Sequence, residues 1–196
     1  MSFMSCRANT QIFEMIKMNI CLYGSGSRKT PEIYTDAAYE LGLIIAKNDD
    51  TLVFGGGDTG MMGACAKGVH DNNGKSLGIA PKWIENFEPL SKECSEFIYV
   101  KSMDERKKEF LNNSDVFIIT PGGIGTLDEF FEVITLKKLK QHNKTIIVYN
   151  IDHYYDKMME MLEEMTEKGF LYKQEEIFKQ AKNINEIITY LDAERC

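Results

Sequence analysis

The chain has 196 residues, 43% of them hydrophobic and 27% charged, with a formal net charge of −7 at pH 7. This length suits a single domain with a substantial core, and the composition is that of a globular protein in water. The acidic balance argues against nonspecific nucleic-acid binding, which relies on Lys and Arg neutralising phosphates, and no apolar run approaches the ~20 residues that span a bilayer.

No signal-peptide pattern opens the chain, so a cytoplasmic protein without membrane contact is expected. Five cysteines, an odd number without a C-x-x-C pair, point to reduced thiols and to neither a disulfide framework nor structural zinc. The histidines, at 70, 142 and 153, lack metal-ligand spacing, so no metal is expected.

In chain order, residues 1–17 fit poorly ahead of the first strand. They are expected to be an N-terminal extension, either an extra helix or a disordered or non-native start. From Met18 one domain runs to 192, followed by a short tail over 193–196. "MNICLY" (18–23) reads as a strand, and "PEIYTDAAYELGLIIAKN" (31–48) as a helix with proline in its first turn. A strand at 51–54, a helix from about 61 to 71, and strands at 76–80 and 97–100 come next. A helix over roughly 103–112, a strand at 115–120, a helix over 126–139 and a strand at 144–149 continue the alternation. Helices near 153–168 and 184–192 close the chain around a short strand at 177–181. The runs LVF, IIT and IIV are continuously apolar, as in strands covered on both faces. The fold class is therefore α/β, a three-layer sandwich around a mostly parallel sheet of about seven strands.

Three glycine-rich turns each follow a strand: "GSGSR" (24–28), "GGGDTG" (55–60) and "GGIGT" (122–126). Each alone fits a tight turn that needs φ > 0. Three at successive strand ends, on the rim where open parallel sheets bind ligands, favour a ligand cradle. Glycines let backbone N–H groups approach a ligand, and a helix N-terminus adds free donors suited to phosphate. Gly55, Gly57 and Gly60 satisfy G-x-G-x-x-G, but no acid about 20 residues further on would hold a dinucleotide ribose. "NGKS" (73–76) precedes a strand, which disfavours a P-loop kinase or ATPase.

In "PGGIGTLDEF" the amides of Gly123 to Thr126 make the cradle, and Thr126 adds a hydroxyl. Leu127, Phe130, Phe131 and Ile134 have the spacing of a buried helix face. Asp128, Glu129 and Glu132 either complement the helix dipole or act beside the phosphate. Arg106 and Lys107, in "SMDERKKEF" (102–110), are either a solvated helix face or the cations of the same rim.

These residues resemble the LONELY GUY (LOG) family, the cytokinin riboside 5′-monophosphate phosphoribohydrolases. "PGGIGTLDE" matches P-G-G-x-G-T-x-x-E, "VFGGGDTGMMG" matches Y-G-G-G-x-x-G-L-M-G, and "MDERK" matches M-H-x-R-K. The resemblance implies a Rossmann-like fold, a homodimer, and hydrolysis of the N-glycosidic bond of an N6-substituted AMP to free base and ribose 5-phosphate, without an organic cofactor. It implies Glu129 and Arg106 as catalytic residues. Gly122, Gly123, Ile124, Gly125, Thr126, Asp128, Lys107, Met103, Thr135, Gly56, Gly57, Gly60 and Ser25 would hold the substrate. Where the family has an acid after a loop proline, this chain has Trp83, and Glu85 fits only with a shift. The family is often labelled lysine decarboxylase, yet no residue pattern here suits pyridoxal phosphate. A broader nucleotide 5′-monophosphate nucleosidase and a non-catalytic nucleotide or pterin carrier are the alternative readings.

Overall fold

The computed structural model describes residues 16–171 and 177–195, so the expected extension lies, but for its last two residues, outside the described residues. In chain order the elements are β1 (Asn19–Tyr23), α1 (Glu32–Lys47), β2 (Thr51–Phe54), α2 (Gly60–Asp71) and β3 (Lys75–Pro81). They continue with β4 (Glu96–Val100), α3 (Met103–Asn112), β5 (Val116–Ile119), α4 (Ile124–Lys138) and β6 (Thr145–Tyr149). The chain ends with α5 (Asp156–Glu167), β7 (Lys179–Ala181) and α6 (Ile184–Glu194). The seven strands form one sheet in the order β4-β3-β2-β1-β5-β6-β7, and every pairing is parallel. The α/β reading holds.

Strand side chains alternate between faces, so the apolar runs feed two cores. Ile20, Leu22, Ile118 and Ile147 pack with Leu41 and Ile45 of α1, Cys65 and Val69 of α2, and Ile187 and Leu191 of α6. Cys21, Tyr23, Phe117, Ile119, Ile146 and Val148 pack on the other face with Phe110, Phe130, Val133 and Leu162, from α3, α4 and α5. Three layers result.

β1 lies between β2 and β5, so successive connections leave it in opposite directions. This is the switch point where a crevice opens beyond the strands' carboxyl ends. The loops after β1 and β5 meet there, where the Ser25 amide donates to the Pro121 carbonyl at 3.1 Å.

Three boundaries differ from expectation. α4 begins at Ile124, not at 126, because glycines 122 and 123 are followed by residues already in helical geometry. The helix expected from 153 begins at Asp156, after a 3-10 turn in which Asp152 and His153 have φ of 48° and 60°. The stretch expected as a tail from 193 continues α6 to Glu194, and Arg195 pairs with the buried Asp50.

Candidate active site

The loop between β5 and α4 has its carbonyls occupied from behind. Tyr155 donates its hydroxyl to the Thr120 carbonyl, and Tyr154 to that of Gly122, each at 2.8 Å. Gly123 caps α4 without a side chain, whereas Ser102 caps α3 and Asn183 caps α6 through their side-chain oxygens. The amides of the first turn of α4 therefore have no acceptor among the described residues. Unfilled donors with a partial positive charge make an anion seat.

Because α4 starts at Ile124, Asp128, Glu129 and Glu132 fall beyond its first turn. The dipole effect decays within that turn, so it does not account for these acids. Glu129 is largely buried, its side chain 12% exposed, and its Oε1 lies 3.7 Å from Arg106 Nη1. That distance is an ion pair but too long for a hydrogen bond. Burial pushes the Glu129 carboxyl up to about 7, a rise that the Arg106 charge opposes and Asp128 adds to. The group is poised to exchange a proton near neutrality.

Arg106 is fixed more firmly. Nε donates to the Ile79 carbonyl at 2.9 Å and Nη2 to the Gly55 carbonyl at 3.3 Å. The guanidinium stands 5.2 Å from the centre of the Phe110 ring. A Cβ at Gly55 would lie 2.0 Å from Nη2, so this glycine clears the path for the arginine. The ends of β2 and β3 thus hold the cation that faces Glu129. Both residues line a cleft of about 520 Å³, a size usual for small-molecule sites.

A family model described as "Possible lysine decarboxylase" matches residues 62–191. The chain is 36% identical over 175 residues to the cytokinin riboside 5′-monophosphate phosphoribohydrolase LOG5 of Arabidopsis thaliana, covering 89% of this chain and 77% of that protein. It is 35% identical over 174 residues to LOG3 of the same plant, another protein of that name, with 88% and 81% covered. The chain belongs to the LOG family. Among solved structures, the molybdenum cofactor binding protein of Rippkaea orientalis superposes with a TM-score of 0.70 at 22% identity, over 91% of this chain and 98% of that one. The Moco carrier protein of Chlamydomonas reinhardtii gives 0.68, also at 22%, over 91% and 98%. At that identity the likeness is one of fold.

For this LOG family member, the structure gathers Ser25, Met103, Gly123, Gly125, Thr126 and Asp128 with Glu129 and Arg106 around the cleft. Others stand apart. Gly56, at φ 77°, lies under the Phe97 ring, and Gly57 lies against the Met62 methyl. Gly60, at φ 65°, would drive a Cβ to 2.5 Å from the Ser25 carbonyl oxygen. These three shape the turn that seats Met62 and the first loop, and none of them lines this cleft. Gly122 leaves room for the Thr126 hydroxyl, which would lie 2.1 Å from a Cβ there. Lys107 is engaged by Glu132 at 2.5 Å and Asp128 at 3.1 Å, outside the cleft lining. The Ile124 side chain is 83% exposed and turned away. Thr135 is also exposed and donates its hydroxyl to the Phe131 carbonyl of its own helix at 2.6 Å, so it does not reach this cleft.

Sequence reasoning missed the opposite wall: Met62, Trp83, Ile84, Phe87 and Glu88. Glu88 is half-buried, has no hydrogen-bond or ion-pair partner for its carboxylate among the described residues, and lies in the field of Arg106. Burial raises its pKa against the attraction of that arginine. Glu85, the acid that fitted with a shift, is exposed and lines a different depression. The segment 82–90 has neither strand nor helix periodicity, so only its place after the carboxyl end of β3 could have signalled it.

The lysine decarboxylase description fits the site poorly. Pyridoxal phosphate needs a lysine for its Schiff base, and no lysine lines the cleft. The residues present do not suit that cofactor.

Proposed function

We propose that the protein hydrolyses the N-glycosidic bond of a nucleoside 5′-monophosphate, an N6-modified AMP in particular, releasing the free base and ribose 5-phosphate. The observation that carries this reading is the buried Glu129–Arg106 pair in a cleft that also contains the uncapped start of α4. Phosphate on the amides of 123–126 would leave the anomeric carbon one sugar away, beside Glu129. Binding energy from the remote phosphate then positions the bond to be broken.

Cleavage of the C1′–N bond sends its electron pair to the base nitrogen and leaves an oxocarbenium-like ribosyl. The Glu129 carboxylate stabilises that charge and takes a proton from the attacking water as the new C1′–O bond forms. The departing base then takes up the proton that water gave to Glu129, passed on through solvent, which restores the carboxylate and balances the step. Arg106 cannot supply it, since a guanidinium stays protonated. Its part is electrostatic: it favours the ionised form of Glu129 and holds it in place. Glu88, on the other wall, is placed to accept a hydrogen bond from an N–H of the base.

On this reading the protein is a cytoplasmic homodimer that does not bind nucleic acid, in keeping with its net charge of −7. No helix among the described residues is long and apolar enough to cross a membrane. Ile124 at the start of α4 and Leu139 at its C-cap are 83% and 60% exposed, with the half-buried Phe131 between them also packing against the core. Such exposed apolar groups suit burial against a second copy, and Thr135, also exposed on α4, would face that copy.

A panel of nucleoside 5′-monophosphates, assayed for both free base and ribose 5-phosphate, tests the reading. Release from N6-modified AMP in preference to AMP is the expected result. Equal release from many monophosphates would mean a broad nucleosidase, and tight binding without any release would mean a carrier.

A further inference from the structure

After β6 the chain makes a costly turn. Asp152 and His153 are consecutive non-glycine residues with φ of 48° and 60°, a region where L side chains are crowded and rarely found. The buried Asn150 holds them there. Its Oδ1 accepts from the Tyr155 amide at 2.7 Å, and its Nδ2 donates to Asp156 Oδ1 at 2.6 Å. Asp156 Oδ2 pairs in turn with His153 Nδ1 at 2.9 Å. Strain of this kind persists only where the surrounding structure over-determines it. Here it brings two successive side chains to one loop. Neighbouring residues point to opposite faces of a strand and diverge by about 100° on a helix. Yet the Tyr154 and Tyr155 hydroxyls reach carbonyls only two residues apart, those of Gly122 and Thr120.

The two bonds differ in what they control. In a planar trans peptide the C=O and the following N–H point in opposite directions. Thr120 is followed by Pro121, which has no N–H to aim. The Pro121 carbonyl is held by the Ser25 amide, and that of Gly123 by the Leu127 amide, each at 3.1 Å. The Gly122 carbonyl is held by the Tyr154 hydroxyl at 2.8 Å. Its peptide unit has glycine on both sides, so it turns on the two torsions that the chain restricts least. Turned one way, it offers the Gly123 N–H to the cleft that Gly123 lines. Turned over, it offers a carbonyl oxygen, which repels an anion. The geometry points to Tyr154 as a positioning residue of the anion seat, latching the Gly122–Gly123 peptide with its amide toward the cleft. This rests on the nucleotide reading above and gives Tyr154 no contact with substrate: phosphate meets the amide, and the tyrosine acts through it. Without the latch the seat is competent for part of the time, and the apparent affinity for an anion falls by that fraction.

Tyr154→Phe and Tyr155→Phe each remove one hydroxyl and keep the ring. The test measures the dissociation constant of inorganic phosphate by calorimetry, kcat and KM for N6-isopentenyl-AMP, and thermal melts. Tyr154→Phe should weaken phosphate binding about threefold or more, with the roughly tenfold worth of one net hydrogen bond as the ceiling. KM should rise in parallel while kcat stays within about twofold of wild type, the signature of lost binding alone. Tyr155→Phe should lower the Tm, because it strands the buried Thr120 carbonyl, and leave phosphate affinity as it is. Unchanged phosphate affinity in Tyr154→Phe overturns the latch, and so does an equal loss in both variants, which would mean general loosening of the loop. Weaker phosphate binding in Tyr154→Phe, with no base released by either protein, upholds the latch and overturns the hydrolase reading. Base release with the same KM in wild type and Tyr154→Phe upholds hydrolysis and overturns the latch. A wild type that does not bind phosphate overturns both the latch and the seat.

Discussion

Arg106 Nη1 stands 3.7 Å from Glu129 Oε1, while the other two guanidinium nitrogens are bonded to the carbonyls of Ile79 and Gly55. The arginine is tied to the sheet, and the glutamate carboxylate faces it without a hydrogen bond among the described residues. A purely structural pair would close that gap, because a buried charge gains from each hydrogen bond that replaces water. The open carboxylate suits a group reserved for a substrate or a water. Glu129→Gln should accordingly fold and still bind AMP, yet turn over at least ~100-fold more slowly. Base release under single-turnover conditions measures this, and near-normal turnover would remove Glu129 from the chemistry.

The same carboxyl gives a pH signature in both rate and stability. Its pKa in the folded protein, about 7, lies above the ordinary 4.5, so the folded state holds a proton that the unfolded chain has already lost between those values. The stability that this proton represents is complete below about 4.5 and is lost as pH rises through about 7. Glu129→Gln stays neutral throughout. Its stability relative to wild type should grow from near zero at pH 4.5 to a plateau above pH 7, of roughly 3 kcal/mol at most. Urea melts at several pH values measure the difference. In wild type, kcat/KM should rise through pH 7 as Glu129 ionises. The residual activity of the variant should keep only the limb near pH ~6 that belongs to the substrate phosphate.

Much of this site could be read along the chain because its parts obey local rules. Apolar β-branched runs give strands covered on both faces, and glycines after a strand give a turn with free amides, so the position of "PGGIGT" followed from its neighbours. Arg106 was legible as a cation on that rim. Its burial was not, since that depends on Gly55 and Ile79, 51 and 27 residues away in the chain. In the "GGGDTG" turn Gly55 gives space to the Arg106 guanidinium, a demand that sequence alone does not distinguish from close approach to a phosphate. Glu88 and Trp83 lie in a segment without periodicity, and only the parallel pairing of β3 with β4 brings it to the cleft. The start of α4 was misjudged by two residues, with the consequence that its acids appeared to be dipole partners.

Arg195 joins the end of α6 to the start of the sheet. The Asp50 carboxylate is buried, accepts from the Met18 amide at 2.9 Å and pairs with Arg195 Nη2. Removing the cation strands a buried charge, so Arg195→Leu should cost about 3 kcal/mol in a urea melt. Asn at position 50 could still accept from the Met18 amide without a charge. The double variant Asp50→Asn/Arg195→Leu should therefore recover at least half of the loss. A cost below ~0.5 kcal/mol for the single change would place this pair with ordinary surface ion pairs.

Gly125 separates binding from stability at the head of α4. Among the described atoms, nothing lies within 4 Å of where its Cβ would be, whereas a Cβ at Gly122 would meet the Thr126 hydroxyl at 2.1 Å. Gly125→Ala should thus fold as well as wild type or better, by up to ~1 kcal/mol, because alanine is the better helix former. Gly122→Ala should lose stability through the clash. Gly125 also lines the cleft, so its new methyl would project toward the proposed phosphate seat. The KM for a monophosphate should rise about tenfold or more, equivalent to roughly 1.4 kcal/mol of lost binding, and inorganic phosphate should weaken as an inhibitor in parallel. Thermal melts combined with phosphate inhibition measure the two effects separately. A Gly125→Ala variant with unchanged KM and unchanged phosphate inhibition would mean that the anion does not sit on these amides, and with it would go the placement of the anomeric carbon beside Glu129.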